Sequence, residues 1–290
     1  MRPVPQPTDD VATVASLCVK SVRDIGLKKR LQTLSPQLST MEADYQREAA
    51  QWNLFAIPES KNWQGCASPN EMRALYENTF VKSTRTRSIY EKLKLAAPGG
   101  ICPLCNQRTV STLDHHLSKS THPALAITPL NLVPSCKDCN SDTLVRQASV
   151  AGELTIHPYF HAVDDEVWLF GRVIETTPPT ISFFAQPPST WSKIKSDIVK
   201  SHFKTFGLST LYTTHAAVEL NNIYYDISTV FSAGAAAALK SYCANMADNR
   251  RHVMRNSWQA SVYQALHDSD WFLQGGFRSI VTRLPAGNLR

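Results

Sequence analysis

Between Val11 and Arg30 the apolar residues Val14, Leu17, Cys18, Val22 and Ile25 recur at roughly the spacing of one helical face. The same pattern predicts a second helix from Thr40 to about Trp52, and a third, longer one over residues 71–95 with Met72, Leu75, Tyr76 and Phe80 on one face. Residues 56–69, rich in Pro, Ser, Asn and Gly, read as a loop, and Pro98-Gly99-Gly100 ends the third helix. Beyond residue 150 the period changes. Residues 166–175 (EVWLFGRVIE) and 180–185 (TISFFA) carry the aromatic and β-branched content of strands, and Pro178-Pro179 between them makes a β-hairpin the expected arrangement. From Trp191 to Arg255 the pattern is helical again, with breaks near Gly207 and at residues 224–226, and residues 258–266 predict a last helix. The Pro-rich first ten residues read as an extended lead-in and the tail from Pro285 as loose. The expected class is α+β, in three regions: helical over 1–97, a compact module over 98–150, and a hairpin with several helices over 151–290.

Composition narrows the classes. The chain has 290 residues, 43% of them hydrophobic and 19% charged, which is ordinary for a globular protein. Such a chain buries a core without help from a metal or a disulfide, so any metal site has a local reason to exist. The most apolar run, residues 230–239, is short and rich in Ala and Gly, far from the ~18 apolar residues of a membrane helix. The start, Met1-Arg2-Pro3-Val4-Pro5-Gln6-Pro7, lacks the apolar stretch of a signal peptide. The expectation is a soluble, cytoplasmic protein without a membrane partner. A formal net charge of +6 suits a phosphate-rich partner, because Lys and Arg displace condensed counterions from nucleic acid.

The seven cysteines change the picture. Cys18, Cys66 and Cys243 are isolated and read as structural thiols. The other four form two pairs, Cys102-x2-Cys105 and Cys136-x2-Cys139, about thirty residues apart. An odd total with this pairing argues for metal binding in a reducing compartment and against a disulfide framework. The spacing suits a closed tetrahedral site, and thiolates select zinc over magnesium. Four thiolates fill the coordination shell, so the predicted zinc is structural and clamps the start of the module to its end. Asn106 follows the first pair, where a sharp turn favours a residue that tolerates left-handed backbone.

Residues 110–114 predict a short strand that delivers Asp114 and His115 at its end. Asn140 directly follows the last cysteine, at the head of a helix expected to reach about Ala148. Asp114 and Asn140 offer hard oxygen ligands suited to Mg²⁺ or Mn²⁺. His115 is a nitrogen base with an ordinary pKa near ~6.5.

Read in order, Cys102/Cys105, Asp114-His115, Asn131-Leu132, Cys136/Cys139 and Asn140 resemble the HNH (ββα-metal) endonuclease family in its four-cysteine, zinc-binding form, and are similar to stand-alone bacterial HNH proteins. The resemblance covers about fifty residues. It implies a ββα-metal nuclease module, a hairpin plus helix holding one catalytic divalent ion beside the structural zinc. It assigns Asp114 and Asn140 as ligands of that ion and His115 as the general base. It gives Asn131 the task of bracing the loop after His115 without touching the metal. The implied activity is hydrolysis of phosphodiester bonds in DNA, leaving a 5′ phosphate and a 3′ hydroxyl. By analogy with the stand-alone bacterial proteins, the setting is anti-phage defence with an ATPase or regulatory protein subunit as partner.

Neighbours on a strand point to opposite faces, so only one of His115 and His116 can share the metal side. The family pattern places the base directly after the acidic ligand, which selects His115 and leaves His116 a packing or phosphate-side role. Ser118 stands where many relatives have Pro, which puts the loop geometry in question. Arg108, Lys119, Lys137 and Arg146 around the site are candidate phosphate contacts, as are Lys82, Arg85, Arg87, Lys92 and Lys94 just before it; solvated surface is the alternative for each. His157 and His161, and the tryptophans Trp168, Trp191, Trp258 and Trp271, read as structural. The rival functions are a non-catalytic zinc module binding nucleic acid or protein, an RNase with the same metal centre, and a scaffolding subunit silent until assembled.

Overall fold

The computed structural model describes residues 2–60, 67–144 and 148–280. Cys66, Arg146 and the tail from Pro285 lie outside the described residues. Two units emerge: residues 1–162 with 192–206, and residues 163–191 with 207–290. They cut across the three sequence regions. The reason is a shared core: Val14, Cys18, Phe80 and Leu93 of the helical stretch pack with Leu113, Ile127 and Leu132 of the cysteine-bearing stretch. Burial of one apolar face against the other makes them a single folded body.

In the first unit, α1 (Val11–Ser21) is capped by Asp10, whose carboxylate accepts from the Thr13 amide at 2.7 Å. The helix expected to continue to residue 30 stops at Ser21. Asp24 caps a fresh start, accepting from Leu27 N at 2.6 Å, and α2 runs over Ile25–Gln32. α3 spans Ser35–Ala50. α4 (Pro69–Leu75) opens on a reciprocal Ser68/Glu71 capping box and passes into a π-turn at Tyr76–Phe80. The single helix expected over 71–95 is therefore interrupted, and α5 covers only Arg87–Leu95. The break is stabilised by the Thr86 hydroxyl, within 2.9 Å of both the Thr79 and the Phe80 carbonyls at the helix end.

β1 (Thr112–His115) and β2 (Leu132–Ser135) form an antiparallel pair with Thr112 opposite Ser135 and His115 opposite Leu132. α6 (Lys137–Leu144) follows, starting before Asn140 rather than at it. Asn140 thus lies in the first turn, its amide donating to the Cys136 carbonyl at 3.1 Å. α7 (Lys193–Thr205), distant in sequence, belongs to this unit. The extended lead-in is tied down as well: Val4 N donates to Pro158 O at 3.1 Å and Arg2 Nε to Asn106 Oδ1 at 3.0 Å.

The second unit contains the expected hairpin, β3 (Leu169–Ile174) with β4 (Thr180–Ala185), and the helices α8 (Leu208–Asn222), α9 (Tyr224–Val253), α10 (Trp258–His267) and α11 (Asp270–Leu273). α8 is hydrogen-bonded to β4 through the Thr213 hydroxyl, which donates to Ile181 O at 2.8 Å. α10 approaches β3 so closely that a Cβ on Gly171 would lie 2.8 Å from the Ser261 carbonyl, which excludes any larger residue there. The Asn256 side chain accepts from the Trp168 and Leu169 amides and so fixes the start of the hairpin. Trp168, Trp258 and the Cys243 thiol are buried. The architecture is mixed helical with small antiparallel hairpins, within the α+β class. Among the described residues no helix is long and apolar enough to cross a membrane.

Candidate active site

The two cysteine pairs converge. Cys102 and Cys105 flank a tight turn in which Asn106 adopts φ 53°, the left-handed conformation expected there. Cys136 and Cys139 stand at the end of β2 and in the first turn of α6. All four are buried, and their sulfurs lie within 4.8 Å of one another. A tetrahedral zinc with Zn–S near ~2.3 Å requires sulfur–sulfur edges of about 3.8 Å. The Cys105–Cys136 separation of 4.0 Å matches that edge and is far too long for a disulfide. Amides of Arg108 and Cys139 donate to the Cys105 and Cys136 sulfurs, each at 3.4 Å, which favours thiolates. Hydrogen bonding among the four sulfurs lowers Cys105 and Cys136 and raises Cys102 and Cys139. The cluster can hold a metal such as zinc.

Alongside it lies a cleft of about 1170 Å³ whose walls include Asp114, His115 and Asn140. β1 delivers the first two and the first turn of α6 the third, so the hairpin register and the cysteine-bound end of β2 jointly fix their placement. Asp114 is buried at 5% exposure. His115 is partly buried, with Nε2 2.9 Å from the Ala126 carbonyl. A carbonyl only accepts, so Nε2 carries the ring proton and Nδ1 keeps its lone pair. Burial depresses the His115 pKa to about 4, so the ring is neutral through the physiological range. Tyr76 meets this ring edge-on at 4.4 Å, presented by the π-turn after α4. The sequence placed Tyr76 on an apolar helix face and gave no sign of that contact.

Asn131 lies fully buried behind the cleft. Its Oδ1 accepts from the Tyr45 hydroxyl at 3.1 Å and the Leu117 amide at 2.8 Å. Its Nδ2 donates to the Leu117 carbonyl at 3.0 Å and the Leu125 carbonyl at 3.3 Å. The side chain thus ties together both flanks of the loop after His115. The His116 ring lies 4.2 Å from that of His157, and burial pushes its pKa down to about 3. His157 Nε2 donates to the Leu130 carbonyl at 3.1 Å, and His161 stacks flat on Trp52 at 3.8 Å, so both have packing roles. At Ser118 the turn closes through its carbonyl, which accepts from His122 N at 2.8 Å.

Most of the basic residues singled out from the sequence are engaged with carboxylates. Arg108 pairs with Asp138 at 2.9 Å, Lys119 with Glu77 at 2.8 Å, Lys92 with Asp9 at 2.9 Å, and Arg87 and Lys94 with Glu91. Lys119 lines the cleft despite its partner. Two further lysines on the cleft wall, Lys200 and Lys204, were not anticipated. Their i,i+4 spacing was readable, but nothing in the sequence connected residues 200–204 with Asp114.

No family model and no solved structure matches the chain. Protein ea31 of Escherichia phage lambda is 22% identical over 299 aligned positions, covering 95% of this chain and 100% of that protein.

Proposed function

We propose that the chain is a metal-dependent nuclease of the HNH type, hydrolysing phosphodiester bonds in DNA, with zinc on Cys102, Cys105, Cys136 and Cys139 as a structural clamp. The observation that supports it is the meeting of Asp114, His115 and Asn140 on one cleft wall beside the cysteine cluster. Asp114 and Asn140 would hold Mg²⁺ or Mn²⁺; two protein oxygens suit an ion that keeps most of its shell for water and phosphate. When bound, such an ion supplies Lewis-acid polarisation of the phosphate and neutralises charge on the leaving oxygen. The protein's part is to orient and to accept a proton. His115 Nδ1 takes the proton from a water whose oxygen bonds to phosphorus as the P–O3′ bond breaks; the departing 3′ oxygen takes a proton from solvent water, giving a 5′ phosphate and a 3′ hydroxyl. Asn131 holds the loop so that the imidazole is aimed. An anti-phage setting with an ATPase or regulatory subunit is proposed by analogy, and the match along a whole phage protein fits a phage-linked setting.

The test is cleavage of supercoiled plasmid, linear duplex, single strands and RNA with Mg²⁺, Mn²⁺ or EDTA. Cutting of DNA with metal is expected, and His115→Ala should lower it by about 10²–10⁴-fold while the chain stays folded and its melting falls only by the lost Ala126 hydrogen bond and Tyr76 contact. Wild-type cutting by that variant refutes the assignment. A chain that binds zinc and DNA and cuts neither DNA nor RNA is the non-catalytic module instead.

A further inference from the structure

α7 reaches the cleft from a remote part of the sequence, and its attachment is specific. His202, fully buried, donates from Nε2 to the Leu104 carbonyl at 2.7 Å, in the turn between Cys102 and Cys105. Its Nδ1 accepts from the Ile156 amide at 3.2 Å. The Ser201 hydroxyl donates to the Glu153 carbonyl at 2.7 Å, and the Lys195 ammonium sits 5.8 Å from the centre of the Trp52 ring. The helix is therefore pinned to the cysteine turn through His202 and to residues 153–156 through His202 and Ser201. Lys200 and Lys204, both exposed, line the same cleft as Asp114, His115 and Asn140.

Among the described residues neither lysine is in an ion pair, in contrast to Arg108, Lys119 and Lys92. Glu59 and Glu153 also line the cleft. Glu153 is turned onto Ser149, whose amide and hydroxyl both donate to one carboxylate oxygen at 2.7 Å. Lys204 is near enough to help lower the Glu153 carboxyl, without forming an ion pair with it. Two ammonium groups outside any ion pair and one helical turn apart, about 5–6 Å at Cβ, are spaced comparably to successive phosphates along a strand. An ammonium on a flexible stem binds phosphate as a point charge, without reading the base.

Resting on the nuclease reading above, we infer that Lys200 and Lys204 form a backbone clamp that holds consecutive phosphates of the DNA strand entering the cleft. They bind and position the strand and take no part in proton transfer. The clamp is sequence-independent, and its rigidity comes from the His202 anchor on the cysteine turn.

The experiment uses the full chain and a fluorescein-labelled DNA duplex of about 30 base pairs, read by anisotropy in EDTA across a salt series, with cleavage in Mg²⁺ alongside. In Lys200→Gln/Lys204→Gln, affinity should fall about tenfold or more at moderate salt. The slope of log affinity against log salt should flatten by about 2, near ~0.9 for each lost phosphate contact. KM should rise with little change in kcat, and Lys200→Arg/Lys204→Arg should restore both. Zinc content and melting serve as the fold check, since both side chains are exposed. A wild type that binds and cuts DNA, paired with a Gln variant of unchanged affinity and salt slope, overturns the clamp and leaves the nuclease reading standing. A wild type that neither binds nor cuts overturns both.

Discussion

Two asparagines in the cysteine-bearing stretch invite opposite expectations, and their substitution separates a brace from a ligand. Asn131 is fully buried and makes four hydrogen bonds, to Tyr45, twice to Leu117, and to Leu125. Asn131→Ala removes all four and strands the Leu117 amide and carbonyl in the core, while the Leu125 carbonyl keeps the Thr128 amide at 3.2 Å. Each buried bond contributes about 1 kcal/mol net, and a stranded polar group costs about 1–3 kcal/mol. Tyr45 keeps its 2.9 Å contact with His157, which softens the loss on that side. The expected cost is about 3–5 kcal/mol, a drop in melting temperature of about 10 °C for a chain of this size. Asn140 is partly exposed on the cleft wall, so Asn140→Ala should shift melting by no more than about 1 kcal/mol. It should instead weaken divalent-ion binding, raising the Mg²⁺ concentration needed for half-maximal cleavage. Chemical denaturation and metal titrations of both variants provide the assay. An Asn131→Ala protein as stable as wild type would show that the loop is held by something else. Loss of stability without loss of activity at Asn140 would reverse the two roles.

Removing zinc should be severe: one zinc per chain is expected by elemental analysis, and Cys139→Ser or a strong chelator should lower the melting temperature of the first unit by at least about 10 °C. Acid should also destabilise the protein, because burial holds His202 at about 3 and His161 at about 4, below the ~6.5 of the unfolded chain. The unfolded state binds protons first as pH falls, so this stability is complete above about pH 6.5 and declines below it, by up to about 1.4 kcal/mol per pH unit for each histidine. Melting curves from pH 7.5 to 4.5 should show that decline, with a smaller slope in His202→Gln; a flat profile would contradict the buried, neutral state of these rings.

What the sequence revealed follows from how far each signal reaches along the chain. The cysteine pairs are local in spacing, and Asn106 announces its left-handed turn by residue type alone. The hairpin at residues 169–185 was legible for the same reason, through short β-branched and aromatic runs around a double proline. The break after α4 was not, because it rests on the Thr86 hydroxyl reaching carbonyls six and seven positions back. Nor was the membership of α7 in the first unit. His202 is held by a backbone carbonyl and a backbone amide, and such partners carry no residue signature. The cleft was half legible: Asp114, His115 and Asn140 sit in a recognisable order, whereas Tyr76, Lys200 and Lys204 join them only through folding.

The route of the chain has a consequence for synthesis and dissection. The first unit is left at residue 162, revisited for residues 192–206, and left again. A ribosome that has delivered the cysteines and the candidate ligands, the last of them Asn140, must still add 62 residues, on the order of several seconds of elongation, before His202 can cap the Leu104 carbonyl. During that interval the nascent module carries an open seam where α7 belongs. Truncation at residue 150 or 162 would make the seam permanent. A minimal version of the unit would instead splice residue 162 to 192 through a short linker and end after 206.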